Sequence, residues 1–163
     1  VLNGREGVSI ANYNCPGQIV ITGEADAVAE AGTVLKEAGA RRLLPLKVSG
    51  PFHSPMMRPA GEELAKVFAR VSMNPLKIPY VANINAEVIT DCGRIEGLLV
   101  EQVSGSVRWQ QSVETMIREG VDTFVEIGPG KTLTGFLRKI DKNVKAYHIG
   151  SWEEAVQVCE ELK

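Results

Sequence analysis

Between Thr123 and His148 the chain runs from a β-branched, aromatic stretch (TFVEI) through a Gly-Pro-Gly turn into a helical pattern, Lys131 to Ile140. It then returns to an apolar run, Val144 to His148. A strand, a tight turn, a helix and a second strand in so short a span constrain the fold more than any other feature of the chain. Short buried strands that alternate with helices imply a parallel sheet covered on both faces, hence an α/β protein. The neighbouring segments agree. Helical spacing predicts a helix over 55–71, a strand over Ile78–Ala82 (IPYVA), a long helical region over 95–119 interrupted near Gly105, and a last helix from Trp152.

Residues 1–48 follow a different rhythm. VSIANY and IVIT, separated by a turn on Pro16 and Gly17, predict two paired strands, and the Ala-rich stretch from Ala25 to Ala38 predicts an amphipathic helix that Gly39 closes. Arg42 to Val48 (RLLPLKV) predicts a further strand, at an edge because Pro45 cannot donate to a ladder. The order β-β-α-β is most of a ferredoxin-like lobe lacking its first strand and helix. The expected division is a small lobe over 1–48 and a larger α/β lobe over 49–163.

Charge and composition exclude several classes of function. A net charge of -2 offers no basic surplus for holding phosphates, which argues against nucleic acid as a partner. No apolar run approaches the ~20 residues that span a bilayer, so no membrane association is expected. The three cysteines, Cys15, Cys92 and Cys159, are widely spaced and match no zinc or redox pattern. They suit a reducing compartment, and a cytoplasmic location without a metal or other cofactor is the expectation. The chain opens on Val1 rather than on methionine, which raises the expectation that an N-terminal half precedes it.

Four places could carry chemistry. In VSGPFHSPMM, His53 follows a Gly-Pro break at the start of a helix; it is either a capping or surface histidine or a general base placed where two lobes meet. GPGKT, Gly128 to Thr132, tempts toward a phosphate loop, but that motif needs glycine at position 125, where Val125 stands. Triphosphate binding is rejected, leaving a close turn whose amides could at most meet an anion weakly. In the NYNCPGQ turn the asparagines are expected to satisfy local backbone groups unless a cleft receives them, and Cys15 is expected to be an inert buried thiol. Arg41, Arg42 and Lys47 form a positive cluster before His53, ordinarily a solvated face but also able to steer an acidic partner. His148, without a companion motif, is assigned no role.

NYNCPGQIVITG, VSGPFHSPMMRPA and VEIGPGKTLTGFLRKI, in this order and at these separations, resemble the second half of the malonyl-CoA:acyl-carrier-protein transacylase family, over nearly the whole chain. The resemblance implies an α/β-hydrolase-like large lobe with a ferredoxin-like small lobe. It also implies transfer of a malonyl group from coenzyme A to the phosphopantetheine thiol of acyl carrier protein, through a malonyl-serine ester. It places the base at His53, the residue whose backbone carbonyl orients that base at Gln102, a steric selector of acyl units at Phe52, and a small-lobe asparagine at Asn14.

One part of the family pattern is missing. The nucleophile elbow G-x-S-x-G occurs nowhere in the chain, and the family's malonyl-binding arginine and oxyanion-hole glutamine have no counterpart either. The chain is therefore expected to be a C-terminal portion that supplies the base without the serine, to be inactive alone and to aggregate or fold loosely. Two other readings stay open: a non-catalytic module that binds acyl carrier protein, and an acyltransferase of a polyketide pathway.

Overall fold

The computed structural model describes residue 2 and residues 4–163. Val1, and with it the expectation drawn from the opening residue, lies outside the described residues, as does Asn3.

Two strands, β1 (Val8–Cys15) and β2 (Gln18–Gly23), pair antiparallel around the Pro16-Gly17 turn. Their register slips twice, between Ile10 and Asn12 and between Tyr13 and Cys15. Each slip leaves one extra β1 residue opposite the step, Ala11 in the first and Asn14 in the second. Such bulges bend a strand and re-aim side chains. Helix α1 (Ala25–Glu37) follows as the alanine-rich periodicity requires, with Ala31 fully buried against the hairpin.

The predicted strand over 42–48 does not form. These residues pair with no strand among the described residues, and Leu43, Leu44, Leu46 and Val48 are exposed. An extended segment becomes a strand only by pairing. With Pro45 removing a donor and no neighbour offering a ladder, β-propensity alone is insufficient. The expected β-β-α-β order is thus realised as β-β-α.

Past the Gly-Pro break, a turn of 3₁₀ helix (Pro55–Met57) leads into α2 (Arg58–Phe68), shorter than the helix expected over 55–71. The expected strand over Ile78–Ala82 shrinks to β3 (Tyr80–Val81), which pairs antiparallel with β4 (Val88–Ile89) and stands apart from the parallel strands. Sequence reasoning missed this ribbon because its turn is built on Ala86, held at φ +60°, rather than on glycine.

The helical region over 95–119 divides as expected into α3 (Ile95–Ser104) and α4 (Trp109–Arg118). Gly105 ends α3 in extended backbone at a crowded spot: a Cβ there would lie 2.1 Å from Ile84 Cδ1 and 3.0 Å from the Glu101 carbonyl. Strands β5 (Thr123–Ile127) and β6 (Lys145–Ile149) pair in parallel across helix α5 (Thr132–Ile140), and α6 (Trp152–Glu161) packs on β6.

Hairpin strand β1 packs on α4 and α5, so the two parts of the chain share an interface. The deeply buried side chains are Cys15, Ala31, Ser54, Ile89, Ser112 and Val113, most of them small, whereas Ile127 at the end of β5 is 77% exposed. Among the described residues no helix is long and apolar enough to cross a membrane.

Candidate active site

His53 adopts φ +61°, in the left-handed region that non-glycine residues rarely occupy. Such backbone costs about 1–3 kcal/mol and persists only where the surroundings over-determine it. Here they do. Ser54, 1% exposed, donates its hydroxyl to the Pro51 carbonyl at 2.7 Å and closes the turn around His53. The Met57 amide donates to the Ser54 carbonyl at 2.9 Å and ties the turn to the helix that follows.

The half-buried His53 ring meets the protein through one nitrogen: Nδ1 lies 3.1 Å from the backbone carbonyl oxygen of Gln102 on α3. A carbonyl only accepts, so Nδ1 carries the proton and a neutral ring leaves Nε2 bare, with a lone pair able to take a proton. Nε2 has no hydrogen-bond partner among the described residues. An imidazole oriented at one nitrogen and open at the other has the geometry of a general base.

Gln102 does more than present a carbonyl. Its side-chain Nε2 donates to the Gly105 carbonyl at 3.0 Å and reaches the Ser106 carbonyl at 3.4 Å, clamping the α3–α4 turn. The same turn docks on β1. Ser106 Oγ donates to the Ile10 carbonyl at 2.5 Å, Val107 N to the Ala11 carbonyl at 2.7 Å, and Tyr13 N to the Val107 carbonyl at 2.9 Å. Sequence reasoning missed Ser106; a serine between two helical runs, in S-G-S, was its only signal.

Of the four residues singled out from the sequence, these bonds join two. His53 and Gln102 touch directly, and the half-buried Asn14 lies on β1, the strand on which the α3–α4 turn docks. Asn14 makes no hydrogen bond to either of them among the described residues. Phe52 is 48% exposed beside His53, with its ring edge over Gly50: a Cβ at Gly50 would lie 3.9 Å from Phe52 Cε2 and Cζ. Arg41, Arg42 and Lys47 are exposed on the approach to this turn and form no ion pair among the described residues.

The GPGKT turn is a different kind of place. The amides at the start of α5, which could have met an anion, are occupied: Glu126 accepts from Leu133 N at 3.0 Å, Thr134 N at 2.7 Å and Thr134 Oγ1 at 2.6 Å. Burial alone would push the Glu126 carboxyl up. The Thr134 hydroxyl, the two amides and the nearby His148 outweigh it and hold the group below the usual carboxylate range. The weak anion site is therefore corrected to an internal cap, because a carboxylate already fills it. Cys15 is buried as expected, with its thiol directed at Gln18 Oε1 at 3.9 Å, an oxygen that Lys139 Nζ also reaches at 3.5 Å. Among the described residues no group of three or more His, Cys, Asp or Glu side chains could hold a metal ion.

Fold and site together define an α/β protein with an imidazole held on a backbone carbonyl at one nitrogen. A model of the acyl transferase domain family matches residues 2–158, and the chain belongs to that family. It is 42% identical over 156 residues to the malonyl CoA-acyl carrier protein transacylase of Bacillus subtilis, covering 96% of this chain and 49% of that protein. With the transacylase of Escherichia coli K12 it shares 44% identity over 133 residues, covering 82% of this chain and 43% of that protein.

Solved structures agree. A crystal structure of MCAT from Streptococcus pneumoniae superposes with a TM-score of 0.90 at 45% identity, over 94% of this chain and 50% of that one. A malonyl-transacylase in complex with its type II PKS acyl-carrier protein gives 0.92 at 37% identity, over 99% of this chain and 52% of that one. The chain spans about half the length of the curated relatives it matches.

Proposed function

We propose that this chain supplies the general base and part of the acyl-binding surface of a malonyl-CoA:acyl-carrier-protein S-malonyltransferase. One observation carries the reading: the His53 imidazole, on a left-handed residue of the GPFH turn, is held at Nδ1 by the Gln102 carbonyl with Nε2 left bare. The relatives' names supply the substrate and the carrier. No cofactor enters the proposed chemistry.

His53 Nε2 takes the proton of a serine hydroxyl as the serine oxygen attacks the malonyl thioester carbonyl; the C–S bond breaks and coenzyme A leaves as a thiol carrying that proton. In the return half the phosphopantetheine thiol gives its proton to the base, and its sulfur attacks the malonyl-serine ester. The ester C–O bond then breaks and the serine regains its proton. Each half reaction pairs an activated nucleophile with an adjacent base. No G-x-S-x-G lies in these 163 residues, so the serine comes from other residues of the enzyme.

The remaining assignments follow from this reading. Gln102 orients the base through its carbonyl, Phe52 crowds the acyl α-carbon, and Asn14 lines the substrate cleft from the hairpin. Residues 1–48 form a small lobe and 49–163 part of a larger one. The partners are malonyl-CoA, acyl carrier protein and a polypeptide segment that carries the serine; the compartment is the cytoplasm, and the pathway is fatty-acid synthesis.

Intact mass spectrometry after mixing with malonyl-CoA tests the reading, on the chain alone and with a polypeptide carrying the family's G-x-S-x-G half. A malonyl adduct that requires the second polypeptide, and that forms slowly or not at all with His53→Ala, is the expected result. An adduct on these 163 residues alone, or one indifferent to His53, overturns it.

A further inference from the structure

We infer that Ser54 and Gly61 are positioning residues of the base: Ser54 locks the turn that carries His53, and Gly61 sets how closely α2 approaches the Gln102 carbonyl. The inference rests on reading His53 as the base. Neither residue touches the imidazole, so both act through backbone geometry.

Ser54 stands immediately before the helical turn, where a serine ordinarily accepts a bond from an amide one turn ahead. It makes no such cap. Its buried hydroxyl points backward and donates to the Pro51 carbonyl at 2.7 Å, bridging the residue at φ +61°. That bond opposes the relaxation of His53 into the right-handed or extended backbone it would otherwise prefer.

Gly61 is the buried residue of α2. A Cβ at this position would lie 3.1 Å from the Val100 carbonyl oxygen and 3.7 Å from both Val100 Cγ1 and Val103 Cβ. Val100 and Val103 flank Gln102 on α3, so the two helices meet almost backbone to backbone beside the carbonyl that holds the ring. Helix propensity alone favours alanine over glycine by about 1 kcal/mol, and the close crossing accounts for the glycine. At 3.1 Å the His53–Gln102 contact is near the long end of N–H···O bonds. A shift of a few tenths of an ångström between α2 and α3 takes it out of range.

The test compares Gly61→Ala and Ser54→Ala with Gly97→Ala, a control on α3 where a new Cβ meets nothing within 4 Å. All are made in the full gene product. The readouts are the His53 imidazole tautomer by ¹⁵N NMR, assigned with His53→Gln, and kcat and KM for malonyl transfer. The expected result is a proton fixed on Nδ1 in the parent protein and in Gly97→Ala. That signature should be lost in Gly61→Ala and Ser54→Ala, with kcat lower by about 10–100-fold and KM within about twofold. Folded variants that keep both the Nδ1–H signature and the parent kcat overturn the inference; if Gly61→Ala does not fold, the nearly isosteric Ser54→Ala decides it. Should His53→Gln transfer malonyl as fast as the parent, the functional reading fails, and the tautomer data still decide whether Ser54 and Gly61 set the ring.

Discussion

The chain contains two Gly-Pro turns that each open onto a helix, and each has a histidine bound to a backbone carbonyl. At the first, His53 Nδ1 meets the Gln102 carbonyl at 3.1 Å; at the second, His148 Nε2 donates to the Gly128 carbonyl at 2.9 Å. The resemblance ends at the other nitrogen. His148, whose side chain is 10% exposed, turns its Nδ1 toward Glu154 Oε2 at 3.5 Å, an electrostatic contact too long for a good hydrogen bond. His53 Nε2 has no hydrogen-bond partner among the described residues. The unpaired His148 nitrogen is buried beside a carboxylate, whereas that of His53 belongs to a half-buried ring.

The turns differ in their charges as well. Around Gly128 two carboxylates take up backbone amides. Glu126 caps α5, and the Gly150 amide, above all other contributions, holds the Glu154 carboxyl below its usual range, with His148, Lys131 and Ser151 adding to it against burial. Around His53 the turn keeps a strained backbone, an exposed aromatic ring and a bare nitrogen. The left-handed backbone of the first turn falls on a histidine, whereas the positive φ angles of the second fall on Gly128 and Gly130, which bear them without strain.

Substitution of the two histidines should produce the largest separation. His53→Ala is expected to lower kcat/KM for malonyl transfer by about 10²–10⁴-fold with little change in thermal unfolding. His148→Gln should do the opposite, leaving transfer near the parent value and costing about 1–2 kcal/mol of stability in denaturant melts. The contrast between the turns breaks if the two variants exchange these effects.

Phe52→Ala comes next. Opening the space beside the acyl α-carbon should narrow the preference for malonyl over methylmalonyl by about 1–3 kcal/mol, measured as the ratio of kcat/KM values. An unchanged ratio would remove Phe52 as the selector.

Glu126→Gln sharpens the structural side. Removing a charged cap from α5 should destabilise the protein by about 1–2 kcal/mol near neutral pH without altering malonyl selectivity. Glu126 has a folded pKa depressed from an ordinary value of 4.5. Its stabilisation is therefore complete above that value and is lost as the pH falls through the depressed one. The stability gap between parent and Glu126→Gln should close on acidification; a gap that widens would show that the carboxylate is not the stabilising form. Reversing Arg41 and Arg42 should have the smallest effect, a rise in apparent KM for the carrier with a weaker salt dependence. Identical salt profiles would return that cluster to the solvated surface.

The hairpin, α1, the break at Gly105 and the β5-α5-β6 unit were legible because each rests on local signals: turn residues between β-branched runs, alanine-rich periodicity, and a glycine at a helix end. The segment over 42–48 was misread because its β-propensity needs a pairing partner that the described residues do not provide. For the site, the GPFH turn and its family resemblance singled out His53, Gln102, Phe52 and Asn14. The roles of Ser54, Gly61 and Ser106 were invisible there, since a serine before a helix, a glycine within one and a serine in a turn are all common for other reasons.

By itself, then, the sequence determined the α/β character and most of the element order, because propensities and turn chemistry act along the chain, and its family resemblance supplied the four candidate residues. Only the tertiary structure decided which nitrogen of His53 is held, that Glu126 takes up the first amides of α5, and that His148 bonds the Gly128 carbonyl. Those outcomes depend on groups far apart in sequence, such as His53 with Gln102 and Ser106 with Ile10. A hydrogen bond that reaches a few ångströms can select among such partners only after packing has brought them together.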